Sequence, residues 1–181
     1  GFFNPKLAEA GRKELMEKLD AMGYGYVILS ENDTPYGTVE TREDAKKCAR
    51  LFSDNRDRID GIIVSLPNFG DEVGVITTLE LAKLNVPILV QACDDNLSKM
   101  DTANRRDSFC GKLSVCSNLY QYGMKFTNTT LHTCEIGSEV FTRDILDFDK
   151  VCQVVKGLRN ARIAQFGTRP GAFQTVRFSE K

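Results

Sequence analysis

Apolar positions recur along the chain at two different spacings, and segments of each kind alternate. From Pro5 to Met22, Leu7, Ala8, Leu15, Leu19 and Met22 fall largely on one face of a helix. Asn4 and Pro5 supply its cap and first position, and Gly23 ends it. Tyr26-Val27-Ile28-Leu29 is a short run of β-forming residues and predicts a strand. Thr41 opens a second helix through about Asp54, turning Ala45, Cys48, Ala49 and Phe52 inward. Gly61 to Ser65 shows no polar alternation, which predicts a strand covered on both faces. A loop at Pro67-Asn68-Phe69-Gly70 leads to a largely apolar helix from Val73 to Leu84. Pro87 to Gln91 reads as a third strand, Ser108 to Tyr122 as a helix and Asp147 to Leu158 as another. Lys125 to Thr133 is ambiguous, with room for a strand. Arg162 to Gly167 predicts a further strand, and Gly171 opens a last helix. No internal repeat is present.

This alternation predicts an α/β fold: a doubly wound, flavodoxin-like parallel sheet in a three-layer α/β/α sandwich. Ligands in such folds bind outside the carboxyl ends of the strands. That directs attention to Ser30–Tyr36, Leu66–Asp71, Gln91–Met100 and Thr168–Phe173. The chain opens on a loop and a helix, where a doubly wound domain normally opens on a strand, and it closes within a predicted helix. The reading is therefore a first α/β domain at 1–159 lacking its first strand, with 160–181 starting a second, similar domain. With that strand missing, the sheet is expected to show a gap or to take a strand from another chain.

Composition narrows the class. The chain has 181 residues, 24 basic against 25 acidic, and a net charge of -1. That balance argues against a general nucleic-acid binder. No apolar run approaches the ~20 residues needed to cross a bilayer, and no secretory leader is visible, so a cytoplasmic location away from membranes is expected. Glu40 to Asp60 holds six basic and six acidic residues, which reads as a solvated face. Six cysteines with no Cys-x-x-Cys pair predict reduced, mostly buried thiols. His132 is the only histidine, so a zinc site or a histidine-based triad within this chain would depend on it alone. It reads as a surface or hydrogen-bonded residue rather than a partner of Cys134.

The strand-end loops hold the remaining chemistry. Gly167-Thr168-Arg169-Pro170-Gly171 suits an anion or a sugar near backbone N–H groups, but lacks the dinucleotide glycine spacing and the P-loop lysine. Asn68 and Phe69 place an amide and an aromatic ring at a strand end, a pairing that suits sugars. Asp94-Asp95 reads as a turn or a cap, since adjacent residues on an extended chain point apart. Asn118 and Gln121 share a helix face.

At these residues the chain resembles the L-fucose/L-arabinose isomerase family. The resemblance rests on Gly1-Phe2-Phe3-Asn4-Pro5, Asp60 to Gly70, Val86 to Leu89, Ser117 to Gly123, and Ala161 to Glu180. It implies a metal-dependent aldose–ketose isomerase, usually with manganese (Mn2+), whose ligands lie on later domains and match no position here. It also implies that this region is inactive alone. The metal would polarise the carbonyl while a carboxylate moves a proton between neighbouring carbons through an enediol. By the same resemblance, the first domain lends substrate-binding surface to a neighbouring subunit of a homo-oligomer. The contributing positions would be Phe3, Asn4, Asn68, Phe69, Asn118 and Gln121. The arabinose branch carries a histidine near Gln121 that is missing here, which points toward fucose-like or other modified hexoses, sulfonated ones included. The alternative is a non-catalytic sugar-binding module of the periplasmic-receptor or repressor-core type, whose strands read similarly.

Overall fold

The computed structural model describes residues 3–164, 166–167 and 171–172. Three parallel strands form one sheet in the order β1 (Ile62–Leu66), β2 (Ile88–Ala92), β3 (Thr127–Asn128). Ile62 stands opposite Ile88, Leu66 opposite Ala92, and Leu89 opposite Thr127. Among the described residues five α-helices surround it: α1 (Pro5–Ala21), α2 (Arg42–Asp54), α3 (Glu72–Ala82), α4 (Ser108–Gln121) and α5 (Glu139–Arg159). The doubly wound α/β architecture is thus present, and β3 resolves the ambiguous stretch before Thr133.

Side-chain alternation along the strands builds a core on each face. Ile62, Leu66, Ile88, Val90 and Ala92 pack with Ala49 of α2, Ile76 and Leu79 of α3, and Val115 and Leu119 of α4. Leu89 and Cys93 turn the other way, joining Leu15 of α1 and Phe141, Ile145, Phe148 and Cys152 of α5. β2 is buried along its whole length, as a central parallel strand must be.

Local signals fix the helix starts. The Asn4 side chain accepts the Lys6 N–H at the head of α1. Thr41 and Asp44 form a reciprocal capping box on α2, and Asp71 accepts the Gly74 N–H on α3. Helix α5 begins well before the expected Asp147. Ser138 caps it, accepting the Phe141 N–H, and Phe141, Ile145, Phe148 and Cys152 continue a buried stripe back to that cap.

Tyr26–Leu29 differs from expectation. The segment is extended but belongs to no strand, because no described strand lies beside it to pair with. Arg12 holds it to α1 by donating to the Leu29 carbonyl at 2.6 Å. Between this segment and β1 lies a cavity of about 1450 Å3. Arg162, Ile163 and Ala164 are exposed and carry no regular structure. Thr168, Arg169, Pro170 and residues 173–181, where the second-domain helix is expected, lie outside the described residues.

All six cysteines are free thiols, four of them buried. No helix among the described residues is long and apolar enough to cross a membrane.

Candidate functional site

Loops from three parts of the chain meet at the carboxyl ends of β1 and β2. The loop after β1 carries Asn68, whose side chain accepts the Gly70 N–H at 3.2 Å and tightens the turn that presents Phe69. Phe69 stacks on Phe3, with ring centroids 5.7 Å apart and planes 4° from parallel. Such an offset stack suits the ring quadrupoles. The Arg105 guanidinium lies 5.6 Å from the Phe3 centroid, within cation–π range. Asn4 donates to the Ala103 carbonyl at 3.0 Å, tying the head of α1 to the loop after β2.

Asp95 fixes that second loop. Its carboxylate accepts the N–H groups of Arg106 at 2.6 Å and Asp107 at 3.2 Å, bonds across the loop rather than a local turn or helix cap. Arg106 then reaches back and donates to the Pro67 carbonyl at 2.6 Å, joining the two strand-end loops. α4 starts beside them with no side-chain cap. Ser108 Oγ is buried there without a hydrogen-bond partner, and Arg105 Nε lies 3.7 Å from Asp107 Oδ2 as an ion pair.

Helix packing sets how close these loops sit. Gly11 of α1 lies against Pro67, where a β-carbon would come within 2.6 Å of the proline Cβ. Glu135 sits nearby, and its carboxyl is raised by partial burial, with the Arg106 charge opposing that shift.

Of the six expected binding residues, the structure brings together Phe3, Asn4, Asn68 and Phe69. Asn118 and Gln121 lie elsewhere. They occupy the last turns of α4, roughly 10 and 15 Å along the axis from Gly111, which packs against Phe69. Asn118 donates to the Ser114 carbonyl at 3.1 Å, and Gln121 donates to Ser117 Oγ at 3.2 Å. The cavity lined by Phe3, Asn68 and Phe69 is lined by neither Asn118 nor Gln121.

The comparison with known families decides what the strand-end surface belongs to. Residues 1–159 match the family described as fucose/sulfoquinovose isomerase, N-terminal domain. The chain belongs to this isomerase family. No curated protein and no solved structure matches it. The strand-end cluster of this domain sets stacked apolar rings beside amides and a guanidinium.

Among the described residues, no group of three His, Cys, Asp or Glu side chains is placed to hold a metal ion. His132 lies with its ring 4.2 Å from that of Phe109, and Nε2 is 3.0 Å from the Phe109 carbonyl. Cys134 is buried, with its backbone N–H donating to the Ala92 carbonyl and its carbonyl accepting from Gln91.

Two buried polar residues in the isomerase domain escaped sequence reasoning. Gln91 is fully buried, accepting from Ser65 Oγ at 2.7 Å and donating to the Cys134 carbonyl at 2.8 Å. Lys112 of α4 is fully buried with one hydrogen bond, to Thr129 Oγ1 at 2.7 Å. Burial lowers its pKa, against weaker opposing influences from Cys116, Cys134 and Asp144. Charge alone marks a lysine as a surface residue, so nothing local reveals this one.

Proposed function

We propose that this domain supplies substrate-orienting surface to a metal-dependent aldose–ketose isomerase acting on a fucose-like or other modified hexose. The observation that carries the reading is the Phe3–Phe69 stack at the carboxyl ends of the strands, flanked by Asn4, Asn68 and Arg105. A ring wall takes the apolar face of a sugar, and amides and a guanidinium match its hydroxyls. Manganese, in this reading, is held by residues outside this domain and supplies carbonyl polarisation. The residues here bind and orient.

The separation of Asn118 and Gln121 from the stack supports contribution to a neighbouring subunit in a homo-oligomer, since each group can then face a different pocket. α4 also presents Phe109, Leu113 and Tyr120 to solvent at 52%, 54% and 81% exposure. Their i, i+4, i+11 spacing forms an apolar stripe of the kind that another subunit covers. The domain boundary at 159/160, with a second α/β domain following, is part of the same reading.

Steady-state kinetics of the intact enzyme test it. Gln121→Ala should raise KM several-fold with kcat largely kept, the effect of losing one neutral hydrogen bond of ~1 kcal/mol. Phe69→Ala should raise KM further by removing a ring wall. A large fall in kcat at unchanged KM would place these residues in the chemical step. Unchanged kinetics in both variants would remove them from substrate binding.

A further inference from the structure

We infer that Tyr36 is a further sugar-contacting residue, an aromatic platform on the loop that follows the extended segment Tyr26–Leu29. Its role rests on the sugar-orienting function proposed above for the strand-end surface, to which it adds a third loop.

The backbone gives the first indication. Pro35, Tyr36, Gly37 and Thr38 form a tight turn, closed by the Thr38 N–H donating to the Pro35 carbonyl at 3.2 Å. Both central residues are left-handed, Tyr36 at φ 58° and ψ 15° and Gly37 at φ 63°. This is the type I′ pattern, which favours pairs such as Asn-Gly. Gly37 suits it. A tyrosine before it does not, because a left-handed backbone crowds the Cβ against the following carbonyl oxygen.

Nothing in the fold offsets that strain. Tyr36 is 40% exposed and belongs to neither core cluster. Its hydroxyl makes no hydrogen bond to a described residue. A bulky residue held in strained backbone, without packing or a bond to stabilise it, is a mark of function.

The loop's position supplies the second indication. Gly11 of α1 packs on Pro67, just after β1, and its neighbour Arg12 lies against Gly37, where a β-carbon would come within 2.6 Å of Nε. The two loops therefore sit against the same turn of α1. Two residues beyond Gly37, Val39 meets Gly74 in the first turn of α3, the helix that the Asn68–Phe69 loop enters. Tyr36 accordingly lines the same cavity as Phe3, Asn68, Phe69 and Arg105. The turn stands on fixed backbone. Arg12 donates to the Leu29 carbonyl, the Asp33 carboxylate accepts the Ser30 N–H at 2.8 Å, and Lys47 donates to the Asp33 carbonyl at 2.6 Å.

A hexose presents an apolar C–H face and a rim of hydroxyls. An exposed, rigidly based aromatic ring takes the first, beside the amides and guanidinium that match the second.

Steady-state kinetics of the intact enzyme test this, with L-fucose or sulfoquinovose, whichever it isomerises faster, together with thermal melts. Tyr36→Asn removes the ring and installs a residue that a type I′ turn prefers. It should raise KM several-fold with kcat largely kept, while Tm stays level or rises as the strain is relieved. Tyr36→Phe keeps the ring and should raise KM less. Unchanged KM in Tyr36→Asn overturns the role. So does a lower Tm in that variant, since the ring would then be serving the fold. An equal rise in Tyr36→Phe overturns the ring as the point of contact. Phe69→Ala separates this role from that of the surface as a whole. A rise in KM there with none in Tyr36→Asn overturns Tyr36 alone, and no rise in either overturns the sugar-orienting function with it.

Discussion

Gly111 of α4 packs its bare α-carbon directly against the backbone of Phe69. A β-carbon there would fall well inside contact distance of the Phe69 carbonyl oxygen. The obstacle is main chain and cannot rotate away. Gly111→Ala should therefore push α4 and the strand-end loop apart, costing ~1–3 kcal/mol despite the gain in helix propensity. Urea unfolding measures the loss. Unchanged stability would show that the loop yields freely, which would weaken its standing as a rigid binding surface.

The Phe3–Phe69 stack should appear as a coupling energy. Phe3→Ala, Phe69→Ala and the double variant form a cycle in which the pair contributes ~0.5–1.5 kcal/mol beyond the single effects. Chemical denaturation of the four proteins gives the value. Strict additivity would mean that the rings lie side by side without stabilising each other.

Lys112 makes a pH-dependent prediction. Its folded pKa lies below the unfolded value of 10.5, so the unfolded chain binds the proton more tightly. Its unfavourable contribution is full below the folded pKa and fades as pH rises toward 10.5. Lys112→Met keeps the stem and removes the buried charge. It should equal or exceed the parent in stability at pH 7, with the difference narrowing at higher pH. Denaturant melts at pH 7 and pH 9.5 check this. A loss above ~2 kcal/mol at pH 7 would show instead that the bond to Thr129 outweighs the burial of the charge.

The buried thiols act in the opposite direction. Burial pushes Cys48 up to about 12 and Cys93 and Cys152 up to about 11, from an ordinary value of 9.0. The folded protein holds these protons more tightly, so the stabilisation is full below pH 9.0 and is lost as pH climbs through 11 to 12. Alkaline unfolding should therefore begin above pH ~9 and be delayed in Cys48→Ala. At neutral pH, Cys110, which is exposed, should react with a thiol reagent well before Cys48 or Cys93. Simultaneous labelling of all three would contradict the burial.

The sequence by itself determined the elements whose signals are local. The Asn4 cap, Thr41 and the apolar run from Val73 place the starts of α1 to α3 to within a residue or so. The strand-end rule likewise led from pattern alone to Asn68 and Phe69, whereas Asp95, read as a local turn or cap, bonds Arg106 and Asp107 across the loop. Tertiary structure decided the rest, because each remaining feature depends on a partner remote in sequence. Tyr26–Leu29 has strand-forming residues, but a strand exists only where another offers hydrogen bonds. The start of α5 carries a local cap in Ser138, but its first turns are buried only because Phe141 and Ile145 meet Leu15 and Leu89. Phe3 meets Phe69 across 66 residues, and Gly111 meets the same residue from a third segment, contacts that no periodicity encodes. Lys112 is the sharpest case. Its charge predicts solvent, and only the way α4 turns toward β3 and Thr129 buries it.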